Sequence, residues 1–251
     1  MNQFKDKQIL ITGGNSGMGL ASAKAFIAQG AHVLITGKNA DNLKKAAAEI
    51  NSPNLKTILS DTSDIKSIEA LAATVAQTGK KLDVLFLNAG IGRFGSIEQT
   101  SVEDFDIQFN TNVRGLYFTL QKLIPHLKDG ASVILNSSVV STAALANMSA
   151  YSATKAAVSS IGRIAATELA AKNIRVNILS PGPIETPIMG KSGLPAEAVS
   201  NFKAGLVSGV PLGRIGQAHE IADTVLFLAS DASSFITGVE LQVDGGVGLK
   251  R

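Results

Sequence analysis

Residues 8–19 read Gln8-Ile9-Leu10-Ile11-Thr12-Gly13-Gly14-Asn15-Ser16-Gly17-Met18-Gly19. The first five form a short apolar, β-branched run of the kind that makes a buried strand, and it breaks into glycines. From Leu20 to Gln29 apolar and small residues follow in a helical pattern, with Gly30 placed to end the helix. In a strand, glycine turn and helix, glycines let the backbone approach a pyrophosphate. The helix N-terminus then offers free N–H groups and the positive end of its dipole. The alternative is a plain tight turn. The spacing G-x-x-x-G-x-G is not the G-x-G-x-x-G of the common dinucleotide fingerprint.

The alternation continues along the chain. His32–Thr36, Leu55–Leu59, Leu82–Leu87, Val133–Leu135, Ile174–Leu179 and Glu240–Val243 read as strands. Between them, Ala40–Ile50, Ile65–Ala76, Ala150–Ala171 and Ala218–Leu228 read as helices. Thr100-x-x-Glu103 is expected to be a capping box that opens a long helix toward Leu127, with Pro125 in its last turn. Continuous apolar strands separated by helices predict a parallel sheet covered on both faces. No linker, low-complexity tract or repeat interrupts the series, so one doubly wound α/β domain over residues 1–251 is expected. Residues 181–216 lack clear periodicity and follow a strand end, where such sheets bind ligands; they read as a partly helical substrate lid.

Composition narrows the function. The 251 residues are 45% hydrophobic, enough for a large core, and carry a formal charge of +3 with bases scattered among acids. No basic stripe for nucleic acid stands out. There is no cysteine, so neither a disulfide framework nor a thiolate metal site is available, which fits a reducing compartment. His32, His126 and His219 are far apart and lack ligand spacing. The start, MNQFKDKQIL, is neither a signal peptide nor a spanning helix. A cytoplasmic globular protein is expected, with no membrane or nucleic-acid partner.

The stretch from Ser138 to Lys155 holds the chemistry. Tyr151 and Lys155 stand four apart at the head of an alanine-rich helix, hence on one face. Ser138 lies at a strand end, so its hydroxyl could converge with them on one reacting atom. The bland alternative is a surface lysine beside a half-buried tyrosine. Thr12–Gly19, Asn88-Ala89-Gly90, Ser138, Tyr151/Lys155, Pro181-Gly182 and Val243-Asp244-Gly245-Gly246 occur in this order. Together they make the chain similar, over nearly its whole length, to the short-chain dehydrogenases/reductases. The resemblance implies a Rossmann-type fold with a mainly parallel seven-stranded sheet. It also implies NAD(P)(H)-dependent exchange of hydride between nicotinamide and an alcohol or carbonyl carbon. Leu87 departs from the family's usual Asn-Asn-Ala-Gly, so a polar contact between strands is expected to be missing; Met18 replaces the usual Ile.

By the same resemblance the catalytic group is Asn112, Ser138, Tyr151 and Lys155. Tyr151 is the acid/base, Ser138 orients the carbonyl, Lys155 also holds the nicotinamide ribose, and Asn112 supports Lys155 through a water. An ammonium about 5 Å away at an effective dielectric of about 20 favours phenolate by roughly 3 kcal/mol, about two pKa units. Tyr151 is therefore expected to be lowered toward the working range. Cofactor contacts are expected at Gly13, Asn15, Ser16, Gly17, Met18 and Gly19; at Gly37, Lys38 and Asn39; and at Asp61, Thr62, Asn88, Ala89 and Gly90. Pro181, Gly182, Ile184 and Thr186 would lie beside the carboxamide. The chain has no acid from Leu20 to Ala40. The family's acidic position falls on Gly37, which leaves room for a phosphate beside Lys38, so NADP(H) is expected over NAD(H). Pocket candidates are Phe94, Ala143, Ala144, Leu145, Met148, Met189, Leu194 and Phe202, mostly apolar, with Arg93 the nearby cation. The alternative is that several of these are simply core; if they line the pocket, a small apolar ketone or secondary alcohol suits it better than a charged sugar phosphate. Helices around Asn112 and Ala156–Ala171 that are apolar on several faces predict a homo-oligomer, which the resemblance implies is a tetramer or dimer. The competing reading is a silent dinucleotide-binding sensor or scaffold of the same fold.

Overall fold

The computed structural model describes residues 2–186, 205 and 207–249. Its strands are β1 (Gln8–Ile11), β2 (His32–Gly37), β3 (Leu55–Leu59), β4 (Leu82–Leu87), β5 (Leu127–Asn136), β6 (Arg175–Pro181) and β7 (Glu240–Val243). Its helices are α1 (Gly17–Ala28), α2 (Ala40–Ile50), α3 (Ile65–Gln77), α4 (Val102–Phe109), α5 (Leu116–Leu123), α6 (Ser149–Leu169) and α7 (Ala218–Ala229). The strands form one sheet in the order β3-β2-β1-β4-β5-β6-β7. Every neighbouring pair is parallel.

Strand alternation divides the core between the two faces of the sheet. Leu10, Leu34, Leu85, Leu87, Val133 and Leu135 point to one face, with Leu71, Val75, Leu116 and Leu120 from the helices. Ile9, Ile11, Val33, Ile35, Val84, Phe86 and Ile134 point to the other, with Phe26, Leu43, Ile221 and Val225. Both faces are therefore dry, which explains strands with no polar partner residue at every second position. Phe86 is fully buried, and truncating such a ring to alanine costs about 3–5 kcal/mol.

The chain leaves β1 toward β2 and β3, then crosses to β4 on the opposite side. The helices that follow β1 and β4 thus diverge and open a crevice at the strands' carboxyl ends.

Most predicted elements are found within two residues of their expected ends; β5 extends further, back to Leu127. The long helix after residue 100 is different. Ser101, not Thr100, is its N-cap, accepting from the Asp104 N–H, while the Thr100 hydroxyl donates to the Ser96 carbonyl at 2.8 Å. The helix then changes pitch: Asn110–Gly115 is a π-helical turn between α4 and α5, and Pro125 falls in a separate 3-10 turn at Ile124–His126. Packing at Gly115 accompanies the change, because a Cβ there would stand 2.0 Å from the Thr62 carbonyl oxygen. The inserted residue also aims Asn112 inward, a common use of π turns.

Candidate active site

A cavity of about 660 Å³ occupies the crevice at the strand ends. One end of it is the glycine turn. Gly13 and Gly17 have φ of +63° and +52°, left-handed values that L side chains rarely adopt. Gly14 donates its N–H to the Thr36 carbonyl at 3.0 Å, which ties the turn to β2. Ser16 precedes α1 in extended conformation with no side-chain cap, and Ser16, Gly17 and Met18 line the cavity. An uncapped helix start opening on a large cleft fits the pyrophosphate of a dinucleotide.

Of the expected cofactor residues, Gly13, Asn15, Ser16, Gly17, Met18, Gly37, Lys38, Asn39, Asp61, Thr62, Asn88, Ala89 and Gly90 all line this cavity. Pro181, Gly182, Ile184 and Thr186 line it as well. Gly19 does not. It packs beneath the turn, where a Cβ would meet the Gly13 carbonyl oxygen at 2.5 Å and Asn88 Nδ2 at 2.6 Å. The space expected beside Gly37 is also partly filled: the Asn15 amide lies where a Cβ would stand, 2.8 Å away. Lys38 is exposed at the rim. Asn39 caps α2, accepting from the Asn42 N–H, and the Asp61 carboxylate accepts from the N–H and hydroxyl of Ser63.

The polar tie between strands survives the loss of an asparagine at Leu87. Asn88 Nδ2 donates to the carbonyls of Thr12 and Gly13, at 3.0 and 3.2 Å, and its Oδ1 accepts from Asn136 Nδ2. Thr12 Oγ1 in turn accepts the N–H groups of Asn88 and Ala89, at 3.0 Å each. The ends of β1, β4 and β5 are thereby cross-linked.

The other end of the cavity holds Ser138, Tyr151 and Lys155. α6 carries Tyr151 and Lys155 one turn apart, and Lys155 Nζ lies 5.7 Å from the Tyr151 ring centroid. The ammonium is buried and donates to the Asn136 carbonyl at 2.8 Å. Ser138 caps a 3-10 turn, where its hydroxyl accepts from the Val140 N–H at 3.4 Å, lies 3.5 Å from the Pro181 carbonyl and is in hydrogen-bonding contact with Tyr151. Phe94 packs edge-on against Tyr151, centroids 5.6 Å apart.

Asn112 is buried away from the cavity wall. Its amide accepts from the Ile91 N–H at 2.9 Å and donates to the Ile91 carbonyl at 2.8 Å and Thr154 Oγ1 at 3.1 Å. Thr154 donates to the Tyr151 carbonyl. Asn112 therefore ties α6 to the Gly90–Ile91 loop.

The electrostatics overturn the expectation for Tyr151. Burial pushes its phenol up to about 12, against a smaller lowering by the Ser138 hydrogen bond. Burial also pushes Lys155 down to about 8. In the dry wall of the cleft, loss of hydration opposes charge on both groups and outweighs the expected pull of ammonium on phenolate.

Phe94, Leu145 and Met148 line the cavity as expected, whereas Ala143 and Ala144 do not. Met189, Leu194 and Phe202 lie outside the described residues. Sequence reading missed Val139, Val140, Asn136 and Val247 on the wall. The first three adjoin Ser138 and were within reach of a local argument. Val247 arrives from the far end of the chain, and no local pattern marks it.

A family model described as Enoyl-(Acyl carrier protein) reductase matches residues 13–248. The 3-oxoacyl-[acyl-carrier-protein] reductase of Thermotoga maritima is 36% identical over 250 residues, covering 98% of this chain and 99% of the relative. The NADP-dependent (R)-specific alcohol dehydrogenase of Lentilactobacillus kefiri is 34% identical over 251 residues, with 98% of each chain covered. Among solved structures, levodione reductase superposes with a TM-score of 0.89 at 31% identity, covering 99% of this chain and 100% of that one.

Proposed function

The chain belongs to the short-chain dehydrogenase/reductase family of oxidoreductases, and from that premise we propose that it is a single-domain, NADP(H)-preferring carbonyl reductase for small apolar ketones and aldehydes, with Tyr151 as acid/base. The observation that carries this reading is one cleft with the glycine turn at one end and Ser138, Tyr151 and Lys155 at the other. A bound nicotinamide dinucleotide supplies the hydride, or accepts it in the reverse direction. First-turn N–H groups of α1 would hold its phosphates, and Asp61, Thr62 and Asn88–Gly90 would border the adenosine half. Pro181, Gly182, Ile184 and Thr186 border the carboxamide.

At the reacting end, Ser138 stands in hydrogen-bonding contact with Tyr151 and makes otherwise only long bonds, so its hydroxyl can turn to donate to a carbonyl oxygen between them. Tyr151, held as neutral phenol by burial, delivers its proton to the oxygen as charge develops there. Lys155 lends a positive charge nearby and reaches the ribose hydroxyls. Phe94, Val140, Leu145, Met148 and Val247 give the wall an apolar character suited to a hydrocarbon substituent. Arg93, also on the wall, lies 3.6 Å from Asp104, so its charge is partly balanced within the chain.

The NADP(H) preference is supported by Lys38 at the rim and by the absence of any acid from Leu20 to Ala40. With Asn15 seated against Gly37, its amide would be a donor available to an adenine-ribose phosphate there. A homo-oligomer, tetramer or dimer, is supported by exposed Phe105, Ile107, Tyr117 and Ile164 on α4, α5 and α6. The cytoplasm completes the proposal; among the described residues no helix is long and apolar enough to cross a membrane. The test is to follow nicotinamide absorbance with purified protein across a panel of ketones and aldehydes. Consumption of NADPH in preference to NADH supports the reading, and absence of turnover with both rejects it.

A further inference from the structure

Glu240 opens β7, an edge strand, yet its side chain is only 17% exposed. Withdrawing a carboxylate from water is costly unless hydrogen bonds replace the hydration. Here one oxygen, Oε1, accepts three hydroxyls: Ser141 at 2.8 Å, Ser159 at 2.9 Å and Ser180 at 2.7 Å. Oε2 faces Arg163 at 3.3 Å. Hydrogen bonds to a charged acceptor are about twice as strong as neutral ones. Ser159 and Ser180 are fully buried, so without the carboxylate both hydroxyls lose a partner away from water.

The three serines come from three different elements, and each sits beside a residue of the reacting end. Ser141 closes the 3-10 turn that Ser138 starts, and its N–H bonds back to the Ser138 carbonyl at 2.9 Å. Ser159 is one helical turn beyond Lys155, and its hydroxyl lies 2.9 Å from that of Ser137, which donates to the Lys155 carbonyl. Ser180 immediately precedes Pro181. Glu240 itself touches neither the cavity nor the reacting group.

We propose that Glu240 is a positioning residue, a single carboxylate oxygen that sets Ser138, Lys155 and Pro181 relative to one another through three serine hydroxyls. This inference rests on the carbonyl-reductase reading of the same site. Misplacing a reacting group by about 1 Å costs up to about 10²-fold in rate, and partial loosening should fall below that.

The experiment compares purified parent, Glu240→Ala, Glu240→Gln and Arg163→Ala. In Glu240→Ala, kcat for carbonyl reduction should fall about tenfold, while the dinucleotide dissociation constant changes much less. Glu240→Gln keeps an acceptor for the serines and should restore most of the loss. Arg163→Ala should leave kcat near the parent, because the clamp does not depend on the ion pair. A crystal structure of Glu240→Ala should show Ser138, Lys155 or Pro181 displaced. Unchanged kcat in folded Glu240→Ala, whatever its melting temperature, overturns the proposal. If the parent turns over no carbonyl compound, the reductase reading fails. The clamp is then judged by the crystal structures alone, and superposition of the three residues in parent and variant rejects it.

Discussion

At the phosphate end of the cavity the chain works with backbone: positive-φ glycines, an uncapped helix start and a carbonyl of β2 that fixes the turn. At the reacting end it works with side chains drawn from β5, α6, β6 and β7, several of them polar and buried. The backbone of the first end lies within residues 13–36, with one distant side chain, Asn88, bracing it. The second depends on contacts such as Asn112 to Thr154 and Ser141 to Glu240, separated by 42 and 99 positions. A local device tolerates change elsewhere in the molecule, whereas a distributed one transmits it. Substitutions should therefore separate binding from turnover according to the end they strike.

Lys155→Ala should break the contrast by damaging both ends. It removes the charge beside Tyr151 and the proposed ribose contact together, so turnover should fall by about 10²–10⁴ and dinucleotide binding should weaken as well. Steady-state kinetics paired with calorimetric titration would check this; intact binding would confine Lys155 to the reacting end.

Gly19→Val should strike the other end alone. Its side chain would have to displace the Gly13 carbonyl and the Asn88 amide, distorting the turn. The dinucleotide dissociation constant should rise at least tenfold, roughly the 1–3 kcal/mol of an overpacked site. The kcat of saturated enzyme should change little. A large loss of kcat with unchanged affinity would contradict the division of labour.

The acid–base pair predicts a pH profile. Lys155 sits near 8 in the folded protein, below its ordinary 10.5. Reduction should be flat through neutrality and decline above pH 8 as the ammonium is lost. Stability moves the opposite way. Between pH 8 and 10.5 the unfolded chain binds more protons at this site, so the contribution of Lys155 to stability rises with pH there. Below 8 its burial costs about 3 kcal/mol, which Lys155→Met should recover as a higher melting temperature while abolishing turnover. A rate constant up to pH 10 would refute the profile.

The smallest effect concerns the adenine ribose. Lys38→Ala should raise KM for NADPH about fivefold, about 1 kcal/mol for an exposed charge pair, and leave KM for NADH nearly unchanged. Gly37→Asp should favour NADH, and because a Cβ there would crowd the Asn15 amide at 2.8 Å, the reversal should be fuller when combined with Asn15→Ala. Equal KM shifts for both dinucleotides would remove Lys38 from the recognition of phosphate.

The same contrast explains what was legible in the sequence. Strand β1, the glycine turn and α1 announce themselves because apolar run, glycines and helix follow without interruption, even though Gly13 and Gly19 also pack against Asn88 and Ala89. The Tyr151/Lys155 pair is also legible, since helical spacing alone puts both on one face. Three things were not. The π turn has no periodicity of its own; it reflects close packing of Gly115 on Thr62, over fifty residues earlier. Ser101 displaced Thr100 as N-cap because both are good caps and only the backbone path chooses between them. The direction of the Tyr151 shift depends on how dry the cleft wall is, which the ion-pair estimate left out.

Tyr151→Phe tests the central claim most directly, because it removes one hydroxyl and leaves the ring that Phe94 packs against. Dinucleotide affinity and the kcat for NADPH-dependent carbonyl reduction should be measured on the same preparation. The account predicts nearly unchanged affinity with kcat lowered by about 10²–10⁴. Retention of most of the parent's kcat would contradict it.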